Sequence, residues 1–202
     1  MNNVRLNALK LLLPIIVCTS CASFNEAIDD ANAAPGTIHW PDEYAPESAG
    51  FFVHNRIDIN APPEVVWEIL IQAETWPDWY EGASDVEIIG GSSTLEEGSV
   101  FTWKTMGLNF ESTVTEFHPP TRLSWESRKR VIRGYHAWLV IPTEFGSTVI
   151  TDESQHGFLT YMQRLFVPNK LRRLHDVWLA EIKVKAEAAV KKKGPAKRPF
   201  RN

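Results

Sequence analysis

Cysteine is nearly missing from this chain: the 202 residues hold two, Cys18 and Cys21, and none follows them. Beyond residue 21 there is therefore no disulfide framework, no thiolate metal site and no cysteine nucleophile. Other chemistry is missing too. Gly90-Gly91 has neither the companion glycines nor the lysine of a phosphate loop, and no GxSxG turn occurs to seat a hydrolase serine. Histidines 118, 136, 156 and 175 show neither i, i+4 spacing nor HExxH, so no metal site and no cofactor is expected. Positive charge is scarce in the body. Two basic residues before residue 21 and six after 190, with no acid in either stretch, leave residues 21–190 at −12 within a chain of net charge −4. That balance excludes a dedicated nucleic-acid binder, which carries its basic face on the folded part. The end, 191–202, reads as a basic disordered tail.

Aromatic residues, by contrast, are abundant: eight Trp, ten Phe and four Tyr. That is enough rigid apolar area for a large core or an aromatic-lined pocket. Three of the rings fall in one connection, "AETWPDWYEG" at 73–82, where Gly, Asn, Ser and Asp are the usual choices. Rings there either plug a core or cover an opening.

The N-terminus, "MNNVRLNALKLLLPIIVCTSCASF", runs from positive residues through an apolar stretch, Leu11 to Val17, to small residues. That is the order of a secretory signal, and the stretch falls short of the roughly 20 apolar residues that span a bilayer. "CTSC" resembles a bacterial lipoprotein signal, which implies lipidation at Cys21; Cys18 departs from that pattern, where leucine is preferred. Simple cleavage after Ala22 is the alternative. Residues 1–22 are thus expected to be a signal of lipoprotein type, with the product exported to the periplasm or held on a membrane by an N-terminal lipid. Residues 23–50, rich in Ala, Pro, Asp and Glu, read as a flexible tether.

Residues 51–190 read as one α+β domain. "FFVHNRIDINAPP" alternates as a strand, and Pro62-Pro63 opens a helix carrying Val65, Val66, Ile69 and Leu70 on one face. Six short alternating runs follow between 85 and 157, separated by turn residues, which predicts an antiparallel meander. Past Pro168, Leu171, Leu174, Trp178, Ile182 and Ala189 recur at helical spacing over about 22 residues, or some 33 Å. One long amphipathic helix and one sheet bury their apolar sides against each other.

This order, carried by "IDINAPPEVVWEIL", "WPDWYEGASDVEII", "GYHAWLVIPTEFGSTVITDES" and "RLHDVWLAEIKVKAEA", resembles the helix-grip superfamily of START-like domains, in particular the bacterial polyketide cyclase/dehydrase and lipid transport (SRPBCC) group. The resemblance implies a seven-stranded curved antiparallel sheet wrapped around a long C-terminal helix, with two short helices between strands 1 and 2. It also implies a deep cavity for a hydrophobic small molecule, a lipid or polyketide-like compound. Trp76, Trp79, Tyr80, Trp103, Trp125, Trp138, Val140, Thr151 and Trp178 are the expected ligand-binding residues. Some members catalyse cyclisation or dehydration, and catalysis here would be of that lyase or isomerase kind.

If Glu144 faces Ser147 across the hairpin of 135–156, Trp138 faces Glu153 and Val140 faces Thr151. His136, Trp138, Val140, Thr151 and Glu153 then share a side, with His136 and Glu153 diagonal to each other. They are the candidate catalytic pair, an imidazole base oriented by a carboxylate, or else two groups that merely satisfy each other. His175 is expected to pack or cap. A filled interior, well below the roughly 300 Å³ of a ligand pocket, would instead favour a protein-interaction domain.

Overall fold

The computed structural model describes residues 38–193. Strand β1 (Phe51–Ile59) leads through Ala61 and Pro62 into helix α1 (Pro63–Leu70), with Pro63 in the first turn, where its missing N–H costs nothing. A 3₁₀ helix, Ala73–Asp78, completes the insert. Six strands follow: β2 (Ser84–Ile88), β3 (Val100–Thr105), β4 (Leu108–His118), β5 (Arg122–Lys129), β6 (Ile132–Thr143) and β7 (Gly146–His156). Helix α2 (Phe158–Phe166) and the long α3 (Lys170–Lys193) end the described chain, so the final helix runs into the stretch read as a tail.

The seven strands form one antiparallel sheet in the order β1-β7-β6-β5-β4-β3-β2. This is the α+β helix-grip architecture expected. The crossover that lays β1 beside β7 carries α1, and α3 packs on β1, α1 and β7. Leu171, Leu174, Trp178, Leu179, Ile182 and Ala186 are its buried stripe. Of these, Trp178, Leu179, Ile182 and Ala186 meet Leu123, Trp125, Trp138, Val140 and Val149 from the inner face of the sheet.

The outer face is not left to water. Ile38 and Tyr44, at 7% and 1% exposure, pack with Trp40 on Tyr135, Ala137, Leu139 and Ile150. Tyr44 stacks on Tyr135 with ring centroids 5.5 Å apart, and its hydroxyl donates to Glu126. The end of the stretch read as a tether is therefore part of the folded body; the remainder, with the signal and Cys21, lies outside the described residues.

The β6–β7 register differs from the expected one. His136 pairs directly with Glu153 and Trp138 with Thr151, because the hairpin closes at Thr143↔Gly146 around a two-residue Glu144-Phe145 turn. Gly146 sits at φ +153, with its α-carbon against the Ile59 carbonyl, where a Cβ would fall 2.1 Å from that oxygen. The slip is two residues, which is one full period of side-chain alternation, so every residue keeps the face assigned to it.

Candidate functional site

Three polar side chains from three elements meet on the inner face. β6 supplies His136, β7 supplies Glu153 and α3 supplies His175. His175 Nε2 lies 3.2 Å and His136 Nδ1 3.4 Å from the same carboxylate oxygen of Glu153. Gln155 donates its amide N–H to the other oxygen at 2.5 Å. On its far side His136 shares a hydrogen bond with Thr151 Oγ1, Nε2 to oxygen 2.7 Å. The His136 ring is wedged between aromatic planes: Trp138 stacks at 5.4 Å and 12°, His175 at 4.7 Å and 30°. His136 and His175 are almost wholly inaccessible, at 3% and 1% side-chain exposure, and Glu153 is 15% exposed toward the cavity.

Burial sets the protonation. Desolvation pushes His136 down from its ordinary 6.5 to about 3, with the neighbouring His175 adding to the shift and Glu153 opposing it. It is a neutral imidazole at physiological pH. Burial alone would raise Glu153, but the hydrogen bonds from His175 and Gln155 and the imidazole charges outweigh it, and its pKa falls. Because His136 is neutral, it is His175 and Gln155 that keep the carboxylate ionised.

The cluster borders a cavity of about 40 Å³, lined on its apolar side by Trp103, Met106, Leu108, Phe110, Trp125, Ile132, Leu171 and Trp178. Tyr80, Gln155, Gln163 and Gly134 complete much of the wall. No Lys or Arg contributes to it, so a neutral group or a cation suits the space better than a second anion. At roughly 10–15 Å³ of such volume per water, there is room for about three waters and none for a lipid chain.

The expected binding residues therefore separate. Tyr80, Trp103, Trp125, Trp178, His136 and Glu153 border the cavity, whereas Trp76, Trp79, Trp138, Val140 and Thr151 do not. Trp76 is fully buried, packs edge-on against Trp178 at 4.9 Å and donates its indole N–H to the Leu70 carbonyl at 3.1 Å. It plugs the core, which has consumed much of the interior expected to be vacant. Trp79 lies half-buried under Lys185, whose ammonium sits 5.3 Å from its ring centre. His175, read as a packing residue, is a member of the polar cluster. Its place on the buried stripe, just before Trp178, is visible in sequence; its proximity to Glu153 is not.

The donor set also bears on metals. One nitrogen from each histidine and one Glu153 oxygen lie within 4.8 Å of one another, so these three could hold a divalent ion. Sequence spacing could not reveal that set, because each ligand comes from a different element.

Fold and site together define a helix-grip domain with a small, mostly apolar inner cavity and one ionised anchor. The chain belongs to the polyketide cyclase / dehydrase and lipid transport family, whose model matches residues 51–187. No curated protein matches it in sequence. Among solved structures it is similar to the hypothetical protein jhp0584 from Helicobacter pylori, at 24% identity and TM-score 0.71 over 76% of this chain and 98% of that one. It is also similar to the di-domain ARO/CYC BexL from the BE-7585A biosynthetic pathway, at 20% identity and TM-score 0.55, over 68% of this chain and 50% of that protein. TTHA0849 from Thermus thermophilus superposes with TM-score 0.54 at 18% identity, over 68% of this chain and 98% of its own. These likenesses carry the fold.

Proposed function

We propose that this protein binds a hydrophobic small molecule, a lipid or polyketide-like compound, whose polar end is anchored on Glu153, His136 and His175. The observation that carries this reading is the placement of one ionised carboxylate, held by His175 and Gln155, on the wall of a mostly apolar cavity. Such a wall fixes a ligand hydroxyl or amine by accepting a hydrogen bond from it, while the rings hold its body. Uptake requires the cavity to widen. Helix α2 is the element that could yield, since Thr160 is its one buried residue and lifting it exposes little core. Export to the cell envelope belongs to the same proposal and rests on the sequence of residues 1–22 alone.

An enzymatic role for His136 with Glu153, of the cyclase or dehydratase kind, is less well supported. A base whose conjugate acid has a pKa of about 3 lies far from the working pH that favours proton transfer. The volume of about 40 Å³ favours a different second reading, an interaction domain with a filled interior. Native mass spectrometry of protein purified from its own host, with titration of a neutral apolar dye, decides between them. Co-purifying ligand, or dye binding weakened by Glu153→Gln, supports the carrier; protein that is always empty and binds no dye overturns it.

A further inference from the structure

Outside the cavity, the described residues carry an apolar surface that the core does not use. Helix α2 turns Phe158, Tyr161, Leu165 and Phe166 to solvent at 66%, 62%, 59% and 67% exposure. Spaced i, i+3, i+7 and i+8, the four share one face. Val167 prolongs the patch, and so does Val131 in the β5–β6 turn, whose carbonyl accepts the Leu159 N–H at 3.1 Å. Isolated apolar side chains on a surface need no explanation; a contiguous helix face of them does.

Charge tells what covers it. The two segments that build the patch, 128–133 and 164–173, hold eight of the thirteen Arg and Lys of residues 21–190 and not one Asp or Glu. The rest of that span holds all 25 acids against five bases. Arg128 and Arg133 are engaged with Glu43, and Arg172 with the His54 carbonyl. Arg130, Arg164, Lys170 and Arg173 are exposed around the apolar residues; the next acid along α3, Asp176, is taken by Asn55. Within the acidic body of residues 21–190, charge favours approach to an anionic bilayer on this side.

We infer that α2 and the β5–β6 turn dock this protein on an anionic lipid surface, with the aromatic and aliphatic side chains at the acyl boundary and the basic rim among the phosphates. Among the described residues no helix is long and apolar enough to cross a membrane, so this is contact in the interfacial plane. The opposite side of α2 contributes Gln163 to the cavity wall, which places the cavity next to the lipid. The inference does not depend on ligand binding and stands if the cavity proves permanently closed.

The test is sedimentation of the purified full chain with phosphatidylcholine vesicles, with and without phosphatidylglycerol. Binding is expected to the anionic vesicles, and to weaken steeply as salt is raised. The double variant L165S/F166S is expected to lose about tenfold or more in affinity, and R130E/R164E a comparable amount. The control F145S, at the far end of β7 and itself 79% exposed, binds as the parent does. Thermal midpoints near the parent's show that the variants are folded. Undiminished binding by both double variants overturns the inference, because another part of the chain then holds the vesicle. Equal, salt-insensitive binding to neutral vesicles overturns the anionic recognition. Loss of a soluble protein partner, with vesicle binding unchanged, makes the patch a protein interface and also overturns it.

Discussion

Tyr80 lies flat on Trp178, ring centroids 4.3 Å apart and planes 13° from parallel. This contact ties the aromatic connection to the long helix and explains the glycine that ends "WYEG". A Cβ on Gly82 would stand 2.1 Å from the Tyr80 hydroxyl, and Tyr80, at 2% exposure, has nowhere to go. Gly82→Ala is expected to destabilise the fold by about 1–3 kcal/mol through overpacking. Trp178→Ala, which leaves a void among the rings of Trp76, Tyr80, Trp103, Trp125 and Trp138, is expected to cost about 3–5 kcal/mol. Chemical denaturation of the two variants checks both figures, and a Gly82→Ala protein as stable as the parent would remove the stacking from the account.

Acid should weaken the fold by a predictable route. The folded state leaves His136 unprotonated down to about pH 3, whereas the unfolded chain protonates it near 6.5. Unfolding therefore takes up a proton between those values, and stability falls as pH falls, by about 1.4 kcal/mol per pH unit for one proton. Glu153, whose folded pKa is lowered, adds loss in the same direction below its ordinary 4.5. Urea midpoints measured from neutral pH down to about pH 4 should decline, and His136→Gln should flatten the decline below about 6.5. An equally steep slope in that variant would assign the acid sensitivity elsewhere.

The cavity can be narrowed, and its polar anchor displaced, without replacing any residue of the cluster. Gly134 lines it, and a Cβ there would sit 3.3 Å from Glu153 Oε1 and 3.6 Å from Gln155 Cγ. Those contacts are tight but tolerable, so Gly134→Ala is expected to change stability by less than about 1 kcal/mol. Dye or ligand affinity should drop severalfold as the carboxylate shifts. Calorimetric titration beside a thermal melt separates the two effects; unchanged affinity would place the binding space elsewhere.

Helix α2 is held at its start by backbone geometry. Gly157 has φ +114, and a Cβ there would meet the Val131 carbonyl oxygen at 2.6 Å. Gly157→Ala is therefore expected to cost roughly 1–3 kcal/mol of strain and to loosen α2 from the β5–β6 turn. Hydrogen exchange of the Leu159 amide, which donates to Val131, is the readout: its protection should fall while that of β6 and β7 persists.

How much of the structure is legible in the sequence depends on the range of the contact. The period-2 alternation of 135–156 assigns His136, Trp138, Thr151 and Glu153 to one face, and they share it. The pairing itself is displaced by two residues, because a hairpin register is decided at the turn, and the two-residue turn falls at Glu144-Phe145 rather than at the expected Phe145-Gly146. His175 shows the opposite case. Its helical phase is readable, but 22 residues separate it from Glu153, and no local pattern reports a partner on another element. Tyr44, 82 residues from its hydrogen-bond partner Glu126, reads as part of a tether for the same reason.

The sequence alone determined the order of the seven strands, the helical insert and the long helix, the buried stripe of α3 and the two faces of the sheet, since each follows from spacing along a single segment. Tertiary structure decided which rings fill the interior and which border the cavity, how little space they leave, and that two imidazoles converge on one carboxylate. It also decided that α2 keeps its apolar face outward. Those outcomes depend on how segments far apart in the chain approach one another, and that approach is settled by the close packing of the whole core.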